Sequence, residues 1–174
     1  MKELVEKAKY GDKEAFTTLI LSVENELYNI AKIRLKDDED IYDAVQETVL
    51  IAYKSIKKLR QVQYYKTWII KILINQTNKI YKQKNKKKVV SFEEAEKSQL
   101  LDLSNIENIE RSLDLNDICK KLKYEDRMII NLYYVEKFTD KEIGSLLNLK
   151  ENTVTTKRTR AKQKIKKILE ERGI

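Results

Sequence analysis

Residues 139–169 read TDKEIGSLLNLKENTVTTKRTRAKQKIKKIL, and this stretch decides the fold. Thr139-Asp140-Lys141-Glu142 has the T-x-x-E form of a capping box, in which the Thr and Glu side chains satisfy backbone N–H groups at a helix start. The box predicts a short helix with Ile143, Leu146 and Leu147 facing inward. Asn148 to Lys150 then reads as a turn. A longer helix is predicted from Glu151, with Val154, Ala161, Ile165, Ile168 and Leu169 on its buried side. From Glu151 to Ile168 it carries seven basic residues against one acidic. A short capped helix, a tight turn and a basic helix are the parts of a helix-turn-helix, whose second helix enters the major groove. Thr153, Thr155, Thr156, Lys157, Thr159 and Arg160, near the start of that helix, are candidates for base edges and phosphates. A purely structural helical hairpin shares the pattern, but here cap, turn and charge agree.

Working outward, Leu113, Leu115, Ile118, Cys119 and Leu122 are expected to begin this second unit, with Met128, Ile129, Leu132 and Tyr133 continuing its core. Upstream of it, Val89 to Asp117 holds eight acidic residues against Lys97 and Arg111. It lacks a stable apolar period and reads as a tether. Earlier still the charge reverses. Between Lys54 and Lys88 there are twelve basic residues and no acidic one, interleaved with Trp68, Tyr64, Tyr65 and Tyr81. Cations that neutralise phosphates beside rings that accept unstacked bases point to single-stranded nucleic acid, and a solvated charge run is the competing reading.

Within that stretch, Lys58 to Thr67 has no sustained period and is predicted as a loop. Trp68, Ile69, Ile72, Leu73, Gln76 and Ile80 define the buried stripe of the helix that follows, with Trp68 read as core more than as a stacking platform. Lys71, Asn75, Asn78, Lys79 and Lys82 fall on its polar face, able to hold phosphates and hydrogen-bond base edges.

Toward the N-terminus, Leu4, Val5 and Ala8 predict a short helix ended by Gly11. Asp12 is placed to cap one continuous helix striped by Ala15, Phe16, Leu19, Ile20, Val23, Leu27, Ile30 and Ala31. Six carboxylates between Lys36 and Glu47 favour a helix start near Ile41. Its buried stripe is Ile41, Val45, Val49, Ala52, Ile56 and Leu59. Asp43, Gln46, Glu47 and Leu50 then share the opposite side, where a leucine among acids marks a protein-binding face or an ordinary solvated one.

Composition narrows the chemistry. The 174 residues carry a net charge of +8, with 37% charged, one Cys, no His, three Gly and no Pro. Histidine-based acid–base catalysis, disulfides and thiolate zinc sites are removed together, and no phosphate loop of the GxxxxGK type is present. The expected fold is all-α: two small helical domains joined by an acidic linker, the second with the helix-turn-helix. No apolar run approaches the roughly 20 residues that cross a bilayer, and MKELVEKAKYGDKEAF is no signal-peptide core, so the expected compartment is the cytoplasm.

With these pieces in place the sequence resembles a bacterial sigma factor of the extracytoplasmic-function class, the two-domain type. The resemblance rests on AKYGDKEAFTTLI at 8–20, DIYDAVQETVLIAY at 40–53, KTWIIKILINQTNKIYKQKNKK at 66–87 and ICKKLKYEDRMIINLYYVEKFTDKEIGSLLNLKENTVTTKRTRAKQKIKKIL at 118–169. It implies an N-terminal domain over 1–88, a linker over 89–111 and a C-terminal domain over 112–174. By resemblance, Asp43, Gln46, Glu47 and Leu50 would dock on the clamp helices of the large subunit of core RNA polymerase, whose flap is a further contact. Arg60, Tyr64, Tyr65, Lys66, Lys71, Asn75, Lys79 and Lys82 would take the minus-ten promoter element as it melts. Thr153, Thr155, Thr156, Lys157, Thr159 and Arg160 would bind the minus-thirty-five element as duplex. The resemblance further implies no catalysis, no cofactor, and an anti-sigma factor as inhibitor, which can hold such a protein at the membrane.

This chain departs from the family in three places. The loop reads LRQVQYY at 59–65 where a glycine and a small acidic group are common. Lys123 stands near a place usually occupied by proline, and Arg158 fills a recognition-helix position usually apolar. The competing reading is a helix-turn-helix regulator that binds duplex sites without joining polymerase.

Overall fold

A computed structural model describes residues 1–87 and 121–171, with side chains of the first segment described to Asn85. The chain divides into two compact units, Met1–Phe92 and Glu93–Ile174, and the described residues of both are helical. The expected acidic linker, the core positions Leu113, Leu115, Ile118 and Cys119, and the side chains of Lys86 to Lys88 lie outside the described residues.

In the first unit, α1 spans Lys2–Lys9 and buries Val5 and Ala8. Gly11 leaves the hairpin at φ +100°, a conformation open to glycine. Asp12 caps α2, Lys13–Leu21, by accepting the Ala15 N–H at 3.0 Å, an interaction of about 1 kcal/mol. The predicted single helix through Ala31 is instead two. The Ser22 hydroxyl donates to the Leu19 carbonyl at 2.7 Å and the Val23 N–H turns back to Ile20, so the last turn tightens and α3 restarts over Glu24–Arg34. A serine that competes for backbone carbonyls favours such a break. The apolar stripe survives it, because Leu19 and Leu27 are fully buried on either side.

Helix α4 spans Asp38–Ser55, beginning earlier than Ile41 with three acids in its first turn, as the helix dipole favours. Its buried centre is Ile41, Ala44, Thr48 and Ala52, whereas Val45 and Val49 lie at the edge. Thr48 satisfies its buried hydroxyl on the Ala44 carbonyl at 2.7 Å. Two 3-10 turns, Ile56–Lys58 and Val62–Tyr64, lead into α5, Tyr65–Lys87, so part of the predicted loop is helical. Ile69, Ile70, Leu73, Ile74 and Thr77 face the core of α5; Trp68, Ile72, Gln76 and Ile80 are only half-buried. The run WIIKILI is apolar on most sides, so periodicity alone misjudges its phase; packing against both α3 and α4 sets it.

In the second unit, α6 spans Tyr124–Ile130 and continues as a π turn over Asn131–Val135, closed by the Glu136 N–H on the Asn131 carbonyl. Helix α7, Asp140–Leu147, opens on the predicted capping box: Thr139 accepts the Glu142 N–H at 3.3 Å and the Glu142 carboxylate accepts the Thr139 N–H at 2.9 Å. It ends at Asn148 in the left-handed region, φ 58°. Helix α8 runs over Glu151–Glu171 and buries Val154, Ala161 and Ile168 against α6 and α7.

Candidate nucleic-acid and protein interfaces

Asp43, Gln46, Glu47 and Leu50 are all exposed on one side of α4, opposite Ile41, Ala44, Thr48 and Ala52. Leu50 is 51% exposed, flanked in helical phase by Tyr42 and Tyr53. Tyr53 meets the Phe16 ring edge-on at 5.1 Å, which fixes it beside Leu50. The result is an acidic ridge with an apolar crest, suited to a basic protein surface that has an apolar groove. Sequence reading omitted the two tyrosines, although their spacing from Gln46 and Leu50 places them on the same side.

The cationic stretch sorts into open and engaged groups. Lys57, Lys58 and Arg60 are exposed around the 3-10 turns, Tyr64 stands beside them, and Asn75, Lys79 and Lys82 line the outer side of α5. Trp68 shares the phase of Asn75 and Lys79, so part of its ring accompanies the polar row instead of lying in the core. Lys71 is half-buried, and burial pulls its ammonium below the usual lysine range. Lys66 is tied to Glu26 at 3.0 Å, and Lys84 to Asp37 at 2.6 Å and to Asp40. The two carboxylates raise the Lys84 pKa further. Tyr81 is covered on one face by the Arg34 guanidinium, 3.7 Å from the ring centroid.

Tyr65 requires a correction. It was expected among the nucleic-acid contacts, but only 2% of it is exposed, and its ring packs 6.1 Å from Trp68. Its hydroxyl is buried with no hydrogen-bond partner among the described residues, and burial raises its pKa. An unsatisfied buried hydroxyl costs about 1–3 kcal/mol. Tyr65→Phe is therefore expected to hold or raise the urea midpoint and to leave nucleic-acid binding unchanged. Tyr64→Ala, at the exposed neighbour, is expected to weaken single-strand binding without moving that midpoint. The same pair of titrations and unfolding curves measures both.

On α8 the candidates separate in the same way. Thr156, Thr159 and Arg160 are exposed, whereas Thr153 is half-buried. The Thr155 hydroxyl donates to Asp140 at 2.7 Å. Lys157 pairs with Glu125 of α6 at 2.6 Å, which raises its pKa. Arg158 makes two bonds to Asp140, each 2.9 Å, and its guanidinium lies 3.9 Å from the centroid of the Tyr133 ring. The guanidinium beside Asp140 holds that carboxyl below its ordinary range. An arginine at this position is thus accommodated as a strut between α7, α8 and the π turn. Asn152 and Gln163 were not among the candidates, yet they are exposed in line with Thr156 and Thr159. The spacing 152, 156, 159, 163 carried that signal.

Among the described residues no group of three or more His, Cys, Asp or Glu could hold a metal ion, and no helix is long and apolar enough to cross a membrane. Compared with known families, residues 19–87 match the model for sigma-70 region 2 and residues 113–165 the model for sigma-70 region 4. RNA polymerase sigma factor SigV of Bacillus subtilis is 27% identical over 155 residues, covering 89% of this chain and 91% of that protein. The ECF RNA polymerase sigma-E factor of Escherichia coli is 28% identical over 174 residues, covering 93% and 90%. Two solved structures share the fold at 20% identity. CnrH in complex with the cytosolic domain of CnrY has a TM-score of 0.70, covering 98% of this chain and 97% of that one. RpoE in complex with the anti-sigma factor NepR, from Bartonella quintana, has a TM-score of 0.71, covering 89% and 96%.

Proposed function

The chain is a sigma factor of the extracytoplasmic-function type, with a sigma-70 region 2 followed by a region 4, and from that premise we propose how its surfaces divide the work of transcription initiation. As such a factor it binds core RNA polymerase and directs initiation at its own promoters, under the control of an anti-sigma partner. Residues 1–88 form the polymerase-binding and strand-opening domain, 89–111 the linker, and 112–174 the duplex-anchoring domain. The protein works in the cytoplasm and performs no catalysis of its own.

The observation that carries this reading is the pairing of α4 with α5. The two helices pack directly on each other, and each turns a face of opposite charge outward. Asp43, Gln46, Glu47 and Leu50 grip the clamp helices of the large subunit; Arg60, Tyr64, Asn75, Lys79 and Lys82 receive the minus-ten strand. Mounting both on one packed frame fixes where the strand opens relative to the polymerase. Opening a duplex costs a few kcal/mol per displaced base, which stacking and phosphate contacts on the captured strand must offset. The exposed side of α8, with Thr156, Thr159 and Arg160, anchors the minus-thirty-five duplex beside the polymerase flap. Two modest DNA contacts joined by a linker reinforce each other through effective concentration. A stand-alone regulator would use the second unit and leave the acidic ridge and the cationic row of the first without a task.

Permanganate reactivity of unpaired thymines around the minus-ten element, in complexes of this chain with core polymerase, tests the strand-opening role. Reactivity at a short upstream segment supports it; duplex-bound complexes with no reactive thymine would refute it. Salt dependence adds a finer test. Lys79→Ala with Lys82→Ala is expected to shrink the slope of log affinity for single-stranded minus-ten DNA against log salt by about 1.4, two contacts at roughly 0.7 each. Lys84→Ala is expected to change that slope far less, since Asp37 and Asp40 already engage its ammonium.

A further inference from the structure

Recognition helices usually read bases through residues near their N-terminus, and α8 presents two adjacent cations there, Lys157 and Arg158. Both are held by carboxylates of this chain, Lys157 by Glu125 and Arg158 by Asp140 in a two-bond fork backed by the Tyr133 ring. Releasing either toward DNA means breaking an ion pair, and for Arg158 giving up a planar stack as well. The Thr155 hydroxyl is likewise committed to Asp140, and those of Thr156 and Thr159 donate to carbonyls one turn back. Asn152, Arg160 and Gln163 remain exposed on the outer side with unspent hydrogen-bonding capacity, and of these Asn152 alone stands in the first turn of α8, where recognition helices read bases. Asn152, the second residue of α8, is exposed, in line with Thr156 and Thr159, and its side chain makes no hydrogen bond among the described residues.

Building on the sigma-factor reading, we propose that Asn152 is a specificity-determining residue of the second unit, reading an adenine in the minus-thirty-five major groove while Glu125 and Asp140 keep Lys157 and Arg158 from competing for guanine. A carboxamide offers one acceptor and two donors in a plane, the complement of the adenine N6 amino group and N7. Lys157 and Arg158, being engaged, set the tilt of α8 instead of choosing bases. Thr156 and Thr159 are short enough to let the Asn152 side of the helix approach the base edges.

Run-off transcription with core polymerase and a template library randomised through the minus-thirty-five element, read by sequencing the transcripts, tests this. The native chain is expected to favour adenine at one position by about 5- to 150-fold, the range of one bidentate amide–adenine pair. Asn152→Ala is expected to erase that preference and leave discrimination at the other positions standing. Discrimination unchanged in Asn152→Ala, or activity lowered equally at every position, would overturn the assignment while the sigma-factor reading survived. Failure of the native chain to initiate from any template would overturn that reading, and the assignment with it. A second variant, Asp140→Ala, frees Arg158 and is expected to add a guanine preference that the native chain lacks. If it gains none while remaining folded and active, Asp140 is not what withholds Arg158 from guanine, and that part of the assignment falls.

Discussion

Asp43→Arg combined with Glu47→Arg is expected to abolish co-purification with core RNA polymerase while the far-ultraviolet circular dichroism spectrum stays helical. Both carboxylates are exposed on the side of α4 opposite its buried stripe, so reversing them disturbs no core contact. Like charges brought together across an interface cost several kcal/mol, and two reversals should weaken association by about 100-fold or more. The effect should be largest at low salt, because rim charges are screened as ionic strength rises. Leu50→Ala, which trims the apolar crest without touching charge, is expected to weaken binding at all salt concentrations alike. Unaltered co-purification of the double reversal would place the polymerase contact elsewhere.

Gly144→Ala is expected to unseat the helix-turn-helix. A Cβ built at Gly144 would lie 2.7 Å from the Leu149 carbonyl oxygen and 3.6 Å from the Glu151 nitrogen. Both are backbone atoms of the turn that launches α8, and no side-chain rotation relieves the first contact. The Leu149 N–H is bonded to the Gly144 carbonyl at 2.9 Å, so the turn is clamped to α7 at the residue that would push it away. Overpacking of this kind costs about 1–3 kcal/mol, a large fraction of what a small helical unit can hold in reserve. The measurable consequence is selective. Promoters that depend on the minus-thirty-five element should lose most of their transcription, while binding to core polymerase through α4 persists. Equal loss of both, or of neither, would contradict the assignment of separate tasks to the two units.

Features that depend on a few neighbouring residues were legible before the structure. The capping box at Thr139, the cap at Asp12, the glycine turn at Gly11 and the acidic side of α4 each follow from spacing within one or two helical turns. Helix α8 is legible for the same reason, since Val154, Ala161, Ile165 and Ile168 keep one period through a polar background. The phase of α5 was not, because its first turns are apolar nearly all round and only contact with α3 and α4 selects the buried side. Tyr65 was misjudged with it: an aromatic amid lysines looks like a stacking platform until the helix is seen to begin there and turn it inward. Ser22 hid a helix break behind an apolar stripe that both halves preserve.

Distant pairings were the other blind spot. Glu26 lies 40 residues from Lys66 and Asp37 lies 47 from Lys84, so no local pattern reveals that these lysines are spoken for. Asp140 and Arg158, 18 residues apart, are bridged only when the turn folds back. A count of charges therefore overstates the cations free for DNA, and the structure shortens that count to the exposed row. Region by region, the family resemblance survives these changes. Among the residues assigned to it, Tyr65 is buried, and Lys66 and Lys157 are held in ion pairs within the chain.

Run-off transcription with purified core polymerase on a genomic template measures the central claim most directly. This chain should convert a core enzyme that starts nowhere in particular into one that starts at a small set of sites sharing two short upstream elements. A core enzyme that gained no defined start sites, while the purified chain alone bound duplex DNA tightly and specifically, would contradict it.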